Sequence, residues 1–287
     1  MGDVLRTTPL LRVIKGNVYW ITQKECIPLL APNNNLKKVI DINYAQEQLR
    51  NISFDLVICL DDDIKAAELA TKFYDGSLIG SFVDASGRLT YTGSSKEWFD
   101  MGLISKLGKE KCDDLKKRNS KTYQEIIFGM IGKEFKGEEY LINFNGKLKK
   151  NKKKEEVLIG IESRADDRWP TKQWNKYEQL GEILRKDGLR VKFFQQKETI
   201  HDYINDLDDC DLIITGDTLA LHIALALEIK VVAIFTCTSP AEIYDYSRMV
   251  KVVSPELDKA FYNTEYVKEA VDAVSFGSVY ESVKRLL

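Results

Sequence analysis

The chain has 287 residues, a formal net charge of −2, and hydrophobic and charged fractions of 44% and 30%. It is long enough for two domains with separate cores, and its near-neutral balance gives no global pull toward nucleic acid or a membrane surface. Five separated cysteines (Cys26, Cys59, Cys112, Cys210 and Cys237) form no C-x-x-C pair, and only His201 and His222 supply imidazole; this argues against a disulfide framework and against a zinc or histidine-rich metal site. With no membrane-length apolar run and no apolar signal region at the N-terminus, the expectation is a cytoplasmic protein.

In chain order, the opening Gly2-Asp3 reads as a turn running into a helix at 8–15, with Thr8 as cap and Pro9 at the first helical position. Strands are expected at 18–22, 38–42, 55–60 and 78–83, and helices at 44–50, 64–71 and 122–129, with an irregular insert between Gly87 and Lys121. The run from Lys147 to Lys154 holds six lysines, repels itself and buries nothing, so it reads as a solvated linker or, alternatively, a polyanion-binding patch. Beyond it, short β-branched strands at 157–161, 189–194, 211–215, 231–235 and 250–253 alternate with helical stretches at 173–186, 222–228 and 241–246. That alternation predicts a parallel sheet covered on both faces. Helices are expected again at 267–274 and 278–287. The resulting division is an N-terminal Rossmann-like domain at 1–146, a linker at 147–154, a C-terminal Rossmann-like domain at 155–270, and a closing helix at 271–287 able to brace the first domain.

Ligands of such folds bind at the carboxyl ends of the strands, so polar residues in those loops are the candidates. The strongest is Thr215-Gly216-Asp217-Thr218-Leu219-Ala220-Leu221-His222, where a buried strand ends in a tight turn that opens a helix. Free N–H groups and a positive helix end attract phosphates; Asp217 and Thr218 can cap or donate, and His222 lies one turn further on the same face. An ordinary capped helix is the plainer reading. After the first C-terminal strand, Arg164, Arg168 and Lys172 offer cations suited to a diphosphate, with Asp166 and Asp167 offsetting part of their field and Trp169 and Trp174 packing. Gln195, Gln196, Lys197 and Glu198 follow the next strand, where a nucleotide ribose or base can be met. Asp3 in its turn suits a general base or is a solvated terminal carboxylate. Asp61-Asp62-Asp63 can hold a divalent ion or cap a helix, and the basic stretch from Lys106 to Lys121 can face an anionic acceptor or simply water. Dinucleotide, P-loop and nucleophile-elbow fingerprints are absent, which argues against a dinucleotide oxidoreductase, a P-loop ATPase and an α/β-hydrolase.

Three separated motifs, Gly2-Asp3-Val4-Leu5-Arg6-Thr7-Thr8-Pro9-Leu10-Leu11, Arg168-Trp169-Pro170-Thr171-Lys172-Gln173-Trp174 and Gly216-Asp217-Thr218 with His222-Ile223-Ala224, resemble in order and spacing glycosyltransferase family 9, the ADP-heptose:lipopolysaccharide heptosyltransferases and their relatives. The resemblance implies an α/β chain of two Rossmann-like domains facing across a cleft, the GT-B architecture, here with the first N-terminal strand missing before Gly2. It implies inverting, metal-independent transfer of a heptose-like sugar from a nucleotide diphosphate donor such as ADP-heptose to a hydroxyl of a glycan or lipopolysaccharide-type acceptor. No cofactor is implied, and membrane association is peripheral at most, at the inner face of the cytoplasmic membrane. By position, Asp3 matches the general base, Ser163 a hydroxyl near the donor phosphates, and Asp217, Thr218, Leu219 and His222 the donor-binding turn, with Arg164, Arg168, Lys172 and Gln196 completing the donor set. Leu219 stands where the family often has glycine, and Asp167 where it commonly has lysine. The alternative is therefore a catalytically degenerate member that binds a nucleotide sugar or a protein partner; an unrelated Rossmann-type enzyme such as a nucleotide-sugar epimerase is a further one.

Overall fold

The computed structural model describes residues 1–144 and 157–287; the lysine-rich linker expected at 147–154 lies outside them. The chain divides into two compact units, Pro9–Glu138 and a second made of Met1–Thr8 with Glu139–Leu287. The first eight residues thus join the C-terminal unit, where the sequence division had put them in the first domain. Asp3 stands inside helix α1 (Gly2–Thr7) rather than in a turn, and Thr8 is the C-cap of that helix rather than the N-cap of a following one. Instead the Thr8 hydroxyl donates to the Leu5 carbonyl at 2.7 Å and accepts from the Leu141 amide at 2.9 Å, while Leu5 is fully buried. The bond to Leu141 and the burial of Leu5 tie this segment to the C-terminal unit.

Within Pro9–Glu138, β1 (Tyr19–Thr22) pairs in parallel with β2 (Lys38–Asp41). Strands β3 (Phe54–Cys59) and β4 (Tyr74–Val83) are parallel, and β4 turns back to β5 (Leu89–Tyr91) as an antiparallel hairpin. This unit is α/β, but its strands form a two-stranded and a three-stranded sheet, not one continuous wound sheet. Asp63 caps α2 (Ile64–Phe73), accepting from the amides of Lys65 and Ala66, so the acidic run does a helix cap's work. Helix α3 (Lys109–Arg118) buries none of its residues and carries the i,i+4 pairs Lys109–Asp113 and Arg118–Asp114, a solvated face. Helix α4 (Tyr123–Met130) starts on the Thr122/Glu125 capping box and buries Ile127 and Phe128 against Leu10.

The larger unit holds five parallel strands: β6 (Leu158–Glu162), β7 (Arg190–Phe193), β8 (Leu212–Gly216), β9 (Lys230–Phe235) and β10 (Met249–Val253), ordered β10-β9-β8-β6-β7. Their near-continuous apolar runs match burial on both faces: Ile159, Ile161, Leu212, Ile213, Ile214, Val231 and Val232 are fully buried. Helix α5 (Tyr177–Lys186) turns Tyr177, Leu180, Gly181 and Leu184 inward, an i, i+3, i+4, i+7 stripe. Helix α6 (Ile200–Asp208), absent from the sequence expectations, is started by the Thr199 side chain accepting from the Asp202 amide and buries Ile204 and Leu207. Helix α7 (Leu219–Ala226) is apolar on all sides and buried from Ala220 onward. The helix expected at 241–246 shrinks to a single 3-10 turn, Pro240–Glu242, because Ile243 leaves the helical region for extended backbone. Closing helix α8 (Phe276–Leu286) buries Val279 and Val283 in the core of this five-stranded sheet.

Candidate functional site

The strand order places the site. From β6 the chain winds outward to β7 on one side; from β8 it winds outward to β9 on the other, so β6 and β8 flank the reversal. Open parallel sheets bind ligands in the crevice at the carboxyl ends of such a pair. Glu162 is paired with Thr215 in register, so the residues delivered there are Ser163 and Arg164 after β6, and Asp217, Thr218 and Leu219 after β8.

Thr218 is the N-cap residue of α7 in extended backbone, yet its hydroxyl makes no cap bond and lies 2.9 Å from Thr215 Oγ1. The Leu221 amide donates to the Thr218 carbonyl at 3.1 Å, so Leu219 and Ala220 supply the first-turn amides that face another acceptor at the positive end of the helix. Gly216 is required just before it: a Cβ there would sit 2.7 Å from the Lys172 carbonyl oxygen. Through that close approach the loop after Trp169 brings Lys172 Nζ onto the turn, where it donates to the Asp217 carbonyl at 2.7 Å and to Asp217 Oδ2 at 3.1 Å. Burial pushes the Asp217 carboxyl up, Lys172 and His222 pull it down, with a contribution from the Thr238 hydroxyl, and the balance lies below the usual carboxylate range.

His222, one turn into α7, is buried, with Nε2 3.9 Å from Asp217 Oδ1 and Nδ1 3.3 Å from the Tyr140 hydroxyl. Its ring packs on Gly2, where a Cβ would come within 2.9 Å of Cδ2, so the smallest residue is what lets α1 reach α7. Asp3 follows Gly2. Its carboxylate is largely exposed and pairs through Oδ1 with Arg6 Nη2 at 2.9 Å. The Arg6 guanidinium, and less strongly His222, hold its carboxyl below the ordinary value. Asp3, Lys172, Asp217, Thr218 and His222 therefore belong to one unit and one neighbourhood.

The other candidates are less converged. Arg164 is committed to the buried Glu162 carboxylate, donating from Nε at 2.8 Å and Nη2 at 2.6 Å, while the Tyr203 hydroxyl donates to Glu162 at 2.5 Å. Arg168 is exposed, its guanidinium 5.5 Å from the Trp169 ring centroid. Ser163 is half-buried and lines a small polar cleft with Gln173, Asn175, Tyr177 and Tyr266. Gln196 is exposed in the loop after β7, and Leu219 is half-buried at the first position of α7. Trp174 packs in the core, as expected. Sequence reasoning missed Arg6, Tyr140, Thr238 and Glu162. For Arg6 a signal existed, its i,i+3 spacing from Asp3 on a helix, and for Glu162 its place two residues before Arg164; Tyr140 and Thr238 are brought in by tertiary structure alone. No cluster of metal-ligating side chains occurs among the described residues.

The environment of His222 has a measurable consequence. Burial drives its imidazole down to about 4 from the ordinary 6.5, against the pull of Asp217. Between those values the unfolded chain binds a proton that the folded one does not, so stability falls as pH drops from 6.5 toward 4, by an amount on the order of 3 kcal/mol. Asp3 and Asp217, both lowered, lose their contributions only below 3.8, so the windows are separate. Urea unfolding at stepped pH should show this loss in the wild type and a flatter profile in His222→Asn; parallel profiles would refute it.

The chain is similar to known proteins in one segment of sequence and in its fold. Residues 197–269 match the model of glycosyltransferase family 9 (heptosyltransferase). The glycosyl transferase family 9 structure from Veillonella parvula superposes with a TM-score of 0.69 at 16% identity, over 99% of this chain and 93% of that one. E. coli heptosyltransferase WaaC with ADP-2-deoxy-2-fluoro heptose gives 0.60 at 14% identity, over 100% and 96%. E. coli ADP-heptose lps heptosyltransferase II gives 0.57 at 14% identity, over 99% and 93%. No curated protein matches the chain in sequence. The fold is that of the GT-B type glycosyltransferases. Residues 197–269 are thus similar in sequence to glycosyltransferase family 9, and the chain as a whole is similar in fold to solved structures of that family.

Proposed function

We propose that this protein transfers a heptose-like sugar, with inversion and without a metal, from a nucleotide diphosphate donor to a hydroxyl of a glycan or lipopolysaccharide-type acceptor. The uncapped start of α7 and the ammonium of Lys172 bind the donor diphosphate and stabilise the charge that grows on it as the sugar leaves. Asp3 accepts the proton of the acceptor hydroxyl as it attacks the anomeric carbon from the opposite face. Ser163 and Thr218 offer hydroxyls to the phosphates, Gln196 meets the nucleoside, and Arg168 adds a mobile cation. The protein works in the cytoplasm, at the inner face of the membrane when its acceptor is a lipid; among the described residues no helix is long and apolar enough to cross a bilayer.

The observation that carries this reading is the meeting of Lys172 Nζ with Asp217, in the turn that opens α7 at the β6/β8 reversal. The first test is a thermal-shift and calorimetric titration with ADP-heptose and with ADP, UDP and GDP sugars. A ligand that prefers the folded state raises the melting temperature, by about 2.7 kcal/mol of stabilisation at a hundredfold excess over Kd. One of these donors is expected to do so in the wild type, and more weakly in Lys172→Gln. No shift with any donor at millimolar concentration refutes the proposal, and tight binding without turnover in the presence of a heptose-deficient lipopolysaccharide acceptor supports the degenerate alternative.

A further inference from the structure

Asp3 and Arg6 sit one turn apart on the same face of α1, and their pairing is asymmetric. The Arg6 side chain is only 18% exposed, whereas that of Asp3 is 81% exposed. A guanidinium fork held in protein therefore grips one oxygen of a carboxylate that otherwise faces outward. The contact involves Oδ1, leaving Oδ2 to accept a proton or a hydrogen bond from outside. Arg is suited to this role because its planar fork is pre-organised and its charge is permanent, while a lysine would supply a mobile point charge.

We propose that Arg6 is a positioning residue for glycosyl transfer: it fixes the orientation of the Asp3 carboxylate through Oδ1 and presents Oδ2 to the acceptor hydroxyl. This rests on the reading of Asp3 as general base. A carboxylate free to rotate about its side-chain torsions spends little time in the geometry of attack, and a displacement of about 1 Å can cost about a hundredfold in rate. The charged and titratable groups that act on Asp3 are Arg6, His222, the amino group of Met1 and Asp217; Arg6 is the strongest of them and holds the carboxyl ionised. The pair thus sets both the direction and the protonation state of the base.

The test begins with the free protein, so that it needs no donor. In protein carrying 13C-labelled aspartate, the Asp3 carboxyl resonance is assigned by its loss in Asp3→Asn, then titrated in wild type, Arg6→Gln and Arg6→Lys. The midpoint should lie at higher pH in Arg6→Gln than in wild type, with Arg6→Lys between them, and the Asp3 side chain should become more mobile in Arg6→Gln. An unchanged midpoint and mobility in a variant with wild-type circular dichroism overturns the tether. In transfer from ADP-heptose to a heptose-deficient lipopolysaccharide acceptor, Arg6→Gln should lower kcat about 10-fold to 100-fold, leave the donor KM unchanged and move the acid limb of the pH profile upward. In an Asp3→Asn background it should have no further effect, because Arg6 acts through Asp3. A drop in kcat with an unmoved acid limb, or an equal drop in the Asp3→Asn background, overturns the positioning role. Full transfer by Asp3→Asn overturns the base assignment instead, and with it the catalytic part of this proposal, while the titration still decides the tether.

Discussion

Lys172→Met is expected to lower the unfolding free energy by about 3 kcal/mol, a large effect for one surface-connected lysine. Both members of the Lys172–Asp217 pair have side chains only 16% exposed, and the ammonium also donates to the Asp217 carbonyl. Methionine fills a similar volume but leaves the Asp217 carboxylate buried beside His222 without its cation. Breaking one side of a buried pair costs far more than the pair contributes, because the remaining charge must stay desolvated. Asp217→Asn in the same background should recover most of the loss. Urea unfolding of the two single variants and the double variant measures the coupling directly. A Lys172→Met protein within about 0.5 kcal/mol of wild type would mean that the pair behaves as an exposed one.

The second large effect is catalytic. Asp3→Asn preserves shape and keeps an oxygen for Arg6 to hold, but it removes the basic site. A positioned general base contributes typically about 10²-fold to 10⁴-fold. The variant should therefore lose that much in kcat while binding donor within about twofold of wild type, since an equal loss in kcat and kcat/KM marks an interaction made only in the transition state. Calorimetry with ADP-heptose and an initial-rate assay on the same preparation separate the two quantities. Unchanged turnover with weakened donor binding would instead make Asp3 a binding residue.

The two regions differ in how far their sequence could be read. In the larger unit the strands announce themselves, because a sheet buried on both faces needs unbroken runs such as Leu212-Ile213-Ile214, and little else in the chain resembles them. The Gly216-Asp217-Thr218 turn was legible for the same reason: a strand that stops at glycine and is followed by a helix leaves a short list of geometries. In Pro9–Glu138 the strands lie partly at the surface, so their pattern gives position without showing that they split into two sheets. Helix α6 was legible as well, since Ile200, Tyr203, Ile204 and Leu207 recur at i, i+3, i+4 and i+7 behind the Thr199 cap, but the polar residues between them mask that stripe.

What the amino-acid order determined by itself was the class of fold, the β8–α7 turn, and the residue types able to bind a diphosphate and take a proton. These depend on local spacing and on burial, which neighbouring residues encode. Tertiary structure alone decided that Met1–Thr8 joins the C-terminal unit, that the Tyr203 hydroxyl reaches Glu162 across 41 positions, and that Lys172 meets Asp217 across 45 positions of chain. Charges choose partners by distance in space, and that distance is set only when Gly216 and Gly2 have let the surrounding backbone and rings close in.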